Sequence, residues 1–153
     1  MYTTLLAELS SSSLSNPVKD SEARKLPYLQ AVIREGFRIC PPAANQAYRD
    51  TPEGSDTLCG YHIPAETKVG YNLSGMMEDP KLWGEDAKVF RPERWLTGTP
   101  EEIRKMEANV YLVFGHGKWS CLGKKIAQSA LNKTIVQVRQ AFETSRRNIF
   151  SQS

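Results

Sequence analysis

Hydrophobic positions change rhythm several times along this chain, and each rhythm predicts a different element. Tyr2 to Leu9 places Leu5, Leu6 and Leu9 on one side of a short helix, which the Ser-rich run from Ser10 to Asn16 then breaks. From Leu26 the spacing becomes regular. Leu29, Val32, Ile33 and Phe37 share one face, Pro27 suits a first helical turn, and Pro41-Pro42 forbids continuation past Cys40, so a helix from Pro27 to about Ile39 is predicted. Three short runs follow, Gln46 to Arg49, Thr57 to Ile63 and Thr67 to Leu73, divided by Gly and Pro in the manner of strands in a small sheet. Met77 to Pro100 keeps no period and reads as an ordered meandering loop, of a length that is uncommon without a function. Glu101 to Asn109 makes a short helix. Val110 to Phe114 is an apolar run entering the turn Gly115-His116-Gly117. Leu122, Ile126, Ala130, Leu131, Ile135, Val138 and Phe142 then keep helical spacing from Cys121 to about Phe142, beyond which the tail is polar. The fold class expected is mixed α+β, mainly helical.

Composition narrows this picture. A chain of 153 residues has room for about one domain. Leu, Ile, Val and Phe number 33 of the 153, close to the roughly 20% level below which chains stay disordered, so the core is lean. The charge-free stretches Leu9 to Val18 and Ala108 to Gly117 fall well short of the ~20 apolar residues of a membrane span. No charged segment followed by an apolar core and a small-residue cleavage site opens the chain, so no secretory signal is read. Three cysteines, Cys40, Cys59 and Cys121, make no disulfide framework and fit a reducing compartment. A net charge of +3, with basic residues scattered among acids, argues against nucleic acid as a partner.

Two places carry candidate chemistry. In Phe114-Gly115-His116-Gly117-Lys118-Trp119-Ser120-Cys121-Leu122-Gly123 a glycine-bearing turn delivers a cysteine to the start of a long helix. The free N–H groups and positive dipole end of a helix favour thiolate, the form that binds metal, and Gly115, Gly117 and Gly123 permit close backbone approach to a flat ligand. The plainer reading is a buried cysteine at an ordinary loop-to-helix junction. Glu35 and Arg38, three apart, share one helix face, and Phe90-Arg91-Pro92-Glu93-Arg94-Trp95 offers Arg94 as a third charge. A solvated surface pair explains the first two equally well. A zinc site from Cys40, Cys59, Cys121, His62 and His116 lacks the usual ligand spacing.

Taken together, these segments carry a resemblance. Glu35-Gly36-Phe37-Arg38 matches E-x-x-R, Pro92-Glu93-Arg94-Trp95 matches P-E-R-[FW], and Phe114 to Gly123 matches F-x-x-G-x-x-x-C-x-G, in that order. The chain resembles the cytochrome P450 family. Leu26 to Ile33 resembles that family's approach to its K-helix, and Gly60-Tyr61-His62-Ile63-Pro64 its G-x-x-[IV]-P turn. In style it is nearest to filamentous-fungal, pisatin-demethylase-like members.

The resemblance implies the C-terminal part of the P450 fold within residues 1–153 as a single partial domain. Residues 1–25 would end the preceding helix and form a Ser-rich loop; 26–40 would be the K-helix and 46–75 a small sheet. The meander would occupy 76–113, the cysteine haem loop 114–123 and the proximal L-helix 121–142. It implies haem b as cofactor and Cys121 as the thiolate ligand of its iron. Phe114, Gly117, Trp119, Gly123 and Arg49 would bind the cofactor, Arg49 through a propionate. A solvent-facing Arg49 is the other possibility. Glu35, Arg38 and Arg94 would form a structural triad locking the meander onto the K-helix. Trp119 departs from the family, standing where most members carry an arginine or histidine towards a propionate; His116, Lys118 or Arg49 would then have to compensate. Lys118, Lys124 and Lys125 would face an acidic reductase-type electron donor, or simply solvent. Trp83 and Trp95 read as core or meander packing.

By function, the resemblance implies an oxygen-activating monooxygenase that inserts one oxygen atom into a small apolar organic substrate. Family members are much longer, typically anchored in the endoplasmic reticulum, with the anchor, most substrate-recognition loops and a distal proton-delivering acid–alcohol pair in a part not seen here. The alternative expectation is therefore a truncated, catalytically inactive haem-binding fragment or a non-functional gene product, with an apolar surface left exposed where the missing part would dock. A haem sensor would need a second axial ligand such as His62, which nothing in the spacing recommends.

Overall fold

The computed structural model describes residues 2–42 and 47–150. Seven helices occur among the described residues: α1 (Tyr2–Ser11), α2 (Asp20–Ala23), α3 (Pro27–Ile39), α4 (Leu73–Met77), α5 (Pro80–Trp83), α6 (Pro100–Val110) and α7 (Lys124–Phe150). Four short strands stand between α3 and α4: β1 (Ala47–Asp50), β2 (Asp56–Leu58), β3 (Tyr61–Ile63) and β4 (Lys68–Tyr71). The class is mixed α+β and mainly helical.

Helix α3 sits at the centre. Pro27 occupies its first turn, and its interior buries Tyr28, Leu29, Ala31, Ile33 and Phe37. Its N-cap, Leu26, has no side chain to cap the helix. The carboxylate of Glu8 in α1 does so instead, accepting from the Tyr28 and Leu29 amides at 2.8 Å each. Two orphan donors of the first turn are thereby satisfied from another helix. Cys40 ends α3 before Pro41-Pro42. Around it gather Leu73 and Met77 of α4, Trp83 of α5, Trp95, Val110 of α6, Val113, Phe114 and Val136 of α7.

The strands differ from the single small sheet expected. β1 pairs antiparallel with β4, Arg49 opposite Val69, while β2 and β3 form a separate hairpin inserted between them. The run Thr57 to Ile63 is thus two strands. Cys59 (φ 52°) and Gly60 (φ 84°) form its two-residue turn, whose twist requires positive φ at both positions. Gln46 lies outside the described residues.

The segment 77–100 is less irregular than its lack of period suggests. Asn72 and Asp79 accept from the Gly75 and Lys81 amides and so cap α4 and α5, and Pro92–Trp95 winds into a 3-10 turn. Helices of four or five residues are too short to display a hydrophobic period, so local capping is their only sequence signal. α6 carries a capping box, Thr99 with Glu102, ahead of Pro100.

α7 departs from expectation at both ends, starting at Lys124 rather than Cys121 and running to Phe150 rather than about Phe142. Amide side chains tie it down. Asn132, buried, donates to Asp20 Oδ1 at 2.8 Å and accepts from Gln30 Nε2 at 2.9 Å; Gln137 donates to Asn16 Oδ1 at 3.0 Å. Asn132 and then Arg24 hold the Asp20 carboxyl below its ordinary range. Leu122, Ile126, Val138 and Phe142 leave apolar surface exposed along the same segment. Among the described residues no helix is long and apolar enough to cross a membrane.

Candidate functional site

The structure brings Glu35, Arg38 and Arg94 together in the interior. Glu35 and Arg38 are fully buried, joined by Arg38 Nη2 to Glu35 Oε1 at 2.7 Å and Arg38 Nε to Glu35 Oε2 at 3.0 Å. Arg94 Nε donates to Glu35 Oε1 at 3.0 Å. Two further donors complete the carboxylate: the Arg91 amide and the Trp95 indole, each at 2.9 Å. Burial alone would raise the Glu35 carboxyl, but the bonds from Arg38, Arg91 and Trp95 outweigh it and hold Glu35 below the usual carboxylate range. The remaining guanidinium N–H groups are spent on the meander. Arg38 reaches the carbonyls of Met77 (2.7 Å), Ala87 and Val89 (3.0 Å), and Arg94 those of Trp83 (2.9 Å) and Asp86 (3.2 Å). Arg38 also lies over the Trp83 ring, 5.3 Å from its centroid. The charges therefore fasten residues 77–94 to α3 through backbone atoms.

On the other side of α3 lies the cysteine loop. A 3-10 turn, Tyr111–Phe114, buries Phe114 edge-on to Phe37 of α3, with ring centroids 5.1 Å apart. The chain then doubles back. Gly115 has φ 71°, and a Cβ there would stand 2.7 Å from the Trp119 carbonyl oxygen, so only glycine allows the loop to close this tightly. The amides of Trp119 and Ser120 donate to His116 O and Gly117 O within a second 3-10 turn, Gly117–Trp119. The Cys121 amide donates back to Phe114 O at 2.7 Å. Cys121 is thus held by its own loop rather than by α7, which begins three residues later, and its thiol is free and solvent-exposed.

Two cavities meet at this thiol. One, about 670 Å³, is lined by Arg49 and Val69 of the β1–β4 pair together with Leu112, His116 and Trp119. The other, about 790 Å³, runs between α3 and α7 past Ile33, Phe37, Leu131 and Ile135. Val113, Phe114 and Cys121 line both. The result is a largely apolar cleft with Cys121 common to both cavities, Cys40 in the second and the Arg49 guanidinium in the first.

Comparison with known proteins decides the family. The profile of the family described as Cytochrome P450 matches residues 8–148. The chain belongs to the cytochrome P450 family. Similar proteins include the cytochrome P450 monooxygenase ABA1 of Pyricularia oryzae, 40% identical over 126 residues that make up 82% of this chain and 25% of that protein. The cytochrome P450 monooxygenase aba1 of Botryotinia fuckeliana is 41% identical over 130 residues, 85% of this chain and 26% of its own length. The cytochrome P450 monooxygenase abl1 of Leptosphaeria maculans is 40% identical over 141 residues, 90% of this chain and 25% of its own length. All three are fungal, in keeping with the style of the sequence. This P450 chain spans about a quarter of the length of these relatives.

The family's cofactor is haem, and the cleft suits a flat, largely apolar ring with charged edges: apolar walls, the soft sulfur of Cys121 shared by both cavities, one arginine. Gly117 (φ 60°) faces open space, and a Cβ on Gly123 would meet Cys121 Sγ at an ordinary 3.6 Å. Arg49 does not face solvent alone; its guanidinium lies 4.7 Å from the Trp119 ring centroid. His116 lines the same cavity, and Lys118 Nζ is 5.2 Å from the Trp119 ring. Lys124 rests on the Tyr111 ring at 4.1 Å, whereas Lys125 is exposed. Cys59 and His62 lie in the β2–β3 hairpin and line neither cavity, although their neighbour Leu58 lines the first, while Cys40 is exposed and lines the second. Trp83 and Trp95 are buried, their rings 5.8 Å apart. Sequence reasoning missed Trp95, Asp86 and the Arg91 amide as members of the charge network. Trp95 stood in the matched P-E-R-[FW] motif, but a packing role hid its indole donor.

Proposed function

We propose that this chain is the haem-binding, C-terminal part of an oxygen-activating monooxygenase, residues 1–153 forming one partial domain of that fold. The observation that carries the reading is the exposed Cys121 thiol at the point where two cavities join. Cys121 would hold the haem iron through its thiolate. Phe114 backs the ring, Gly117 and Gly123 leave room beside it, and Arg49 with Trp119 occupies the rim on the β1–β4 side. Bound haem b supplies the oxygen activation, with thiolate ligation favouring O–O cleavage. The chain's own contribution is to hold the sulfur, exclude water from one face with Val113 and Phe114, and bind the ring's carboxylates. Glu35, Arg38 and Arg94 act behind the site, keeping the meander in register with α3. A reductase-type electron donor and a small apolar organic substrate are the proposed partners.

The exposure of Leu122 and Ile126, 100% and 74%, favours a second reading for the chain by itself: it takes up haem without turning over. The test is the absorption spectrum of the purified, haem-reconstituted chain, reduced and treated with carbon monoxide, beside Cys121→Ala. A strongly red-shifted Soret band present in the first and lost in the second is the expected result. Its absence from both overturns the haem-thiolate reading. Turnover assayed with a reductase then separates the two readings.

A further inference from the structure

Trp119 is a large aromatic side chain left 59% exposed at the rim of the cleft, and its ring is occupied by a cation rather than by core. Its backbone is pinned on both sides: its amide donates to His116 O at 3.3 Å, and its carbonyl nests against Gly115, where any Cβ would collide. Arg49 comes from a different element, β1, whose register against β4 fixes its Cα opposite Val69. One of its N–H groups is spent on the neighbouring Tyr48 carbonyl at 2.6 Å, and no ion pair with a carboxylate is formed by Arg49 among the described residues. An aromatic face engages a guanidinium through its π surface and leaves in-plane N–H groups for a carboxylate fork. Lys118 also approaches the indole, but as a flexible point charge from the adjacent loop position.

We propose that Trp119 is a positioning residue: by cation–π contact it holds the Arg49 guanidinium at the cleft rim, so that Arg49 binds a carboxylate of the haem. A neutral ring thus recruits its charge from the β1 strand instead of carrying one. The inference rests on the haem reading above.

The experiment compares the full chain with Trp119→Ala, Trp119→Phe, Arg49→Ala and the Trp119→Ala/Arg49→Ala pair. Each is loaded with haem or with haem dimethyl ester, whose carboxylates are masked, and transfer to an apoglobin scavenger is timed. With haem, Trp119→Ala is expected to release its ligand roughly threefold to tenfold faster, and Trp119→Phe to stay near the parent. In the Arg49→Ala background, Trp119→Ala should add nothing, because the indole acts through the arginine. With the ester all these differences should vanish. Losses that add, or that persist with the ester, overturn the inference and leave the haem reading standing. A parent chain that takes up no haem overturns both. Because Trp119 is exposed, its variants should keep the parent's circular dichroism; if Trp119→Ala does not, Trp119→Leu, bulky but without a π face, takes its place in the same cycle with Arg49→Ala.

Discussion

The two faces of α3 are built on opposite terms. Towards the meander, Glu35, Arg38 and Arg94 leave almost no polar atom to solvent, and five donors converge on one carboxylate. Towards the cleft, Cys121 is exposed, fixed only through backbone hydrogen bonds and a glycine turn, with open volume on both sides. The difference teaches where stability and where binding reside: a closed network supports the fold, and an exposed rim keeps its bonding capacity for a ligand.

The largest break in that contrast is Arg38→Ala. It removes two of the five donors from a buried carboxylate, together with the nearer of its two charges, and frees three meander carbonyls, so a loss of about 3–5 kcal/mol is expected in urea unfolding, enough to unfold a chain with a lean core. Acid should do the same more gently. Glu35 titrates below its ordinary value in the folded chain, so its contribution is complete above about pH 4.5 and is lost as pH falls through that value towards the folded one. Unfolding midpoints followed downwards from pH 6 check this. Stability that instead rises on acidification contradicts the network.

Gly115→Ala comes next, at about 1–3 kcal/mol, from the positive φ and the 2.7 Å approach to Trp119 O. Its sharper signature is local: the Cys121 thiol should label faster with a thiol reagent, while Cys40 and Cys59 should not change. Glu8→Ala should cost about 1 kcal/mol, the usual scale for a lost N-cap, and hydrogen exchange at Tyr28 and Leu29 locates it. The smallest effect belongs to Cys121→Ala, within about 0.5 kcal/mol in the haem-free chain, as suits an exposed side chain. A Cys121 variant as damaging as Arg38→Ala would erase the division between the two faces.

Much of this was legible in the order of residues. Pro27 and Pro41-Pro42 bracket α3 because proline constrains helix starts and stops locally, and the observed bounds, Pro27–Ile39, follow them. The three matched motifs led to the family because they survive as short, ordered strings. The β2–β3 hairpin was missed because Thr57 to Ile63 is continuous in β-forming character, and its turn rests on Cys59 adopting a positive φ that its type does not advertise. The start of α7 was misplaced because residues 121–123 close a turn, the Lys124 amide donating to Cys121 O, before the helical bond from the Ala127 amide to Gly123 O, and apolar spacing does not separate a turn from a first helical turn.

By itself, then, the sequence determined which residues are helix-forming, where proline and glycine interrupt them, and to which family the chain belongs. Tertiary structure decided what each charge does. Glu35 and Arg38 sit at a spacing equally suited to a solvated pair, and only the arrival of Arg94, Trp95 and the meander carbonyls, from residues 39 to 60 positions away, makes them a buried network. Likewise Trp119 and Arg49 are 70 positions apart, and their contact exists only because the β1–β4 pair is folded against the cysteine loop. Local rules act over a few bonds, whereas burial and charge pairing depend on which distant surfaces meet.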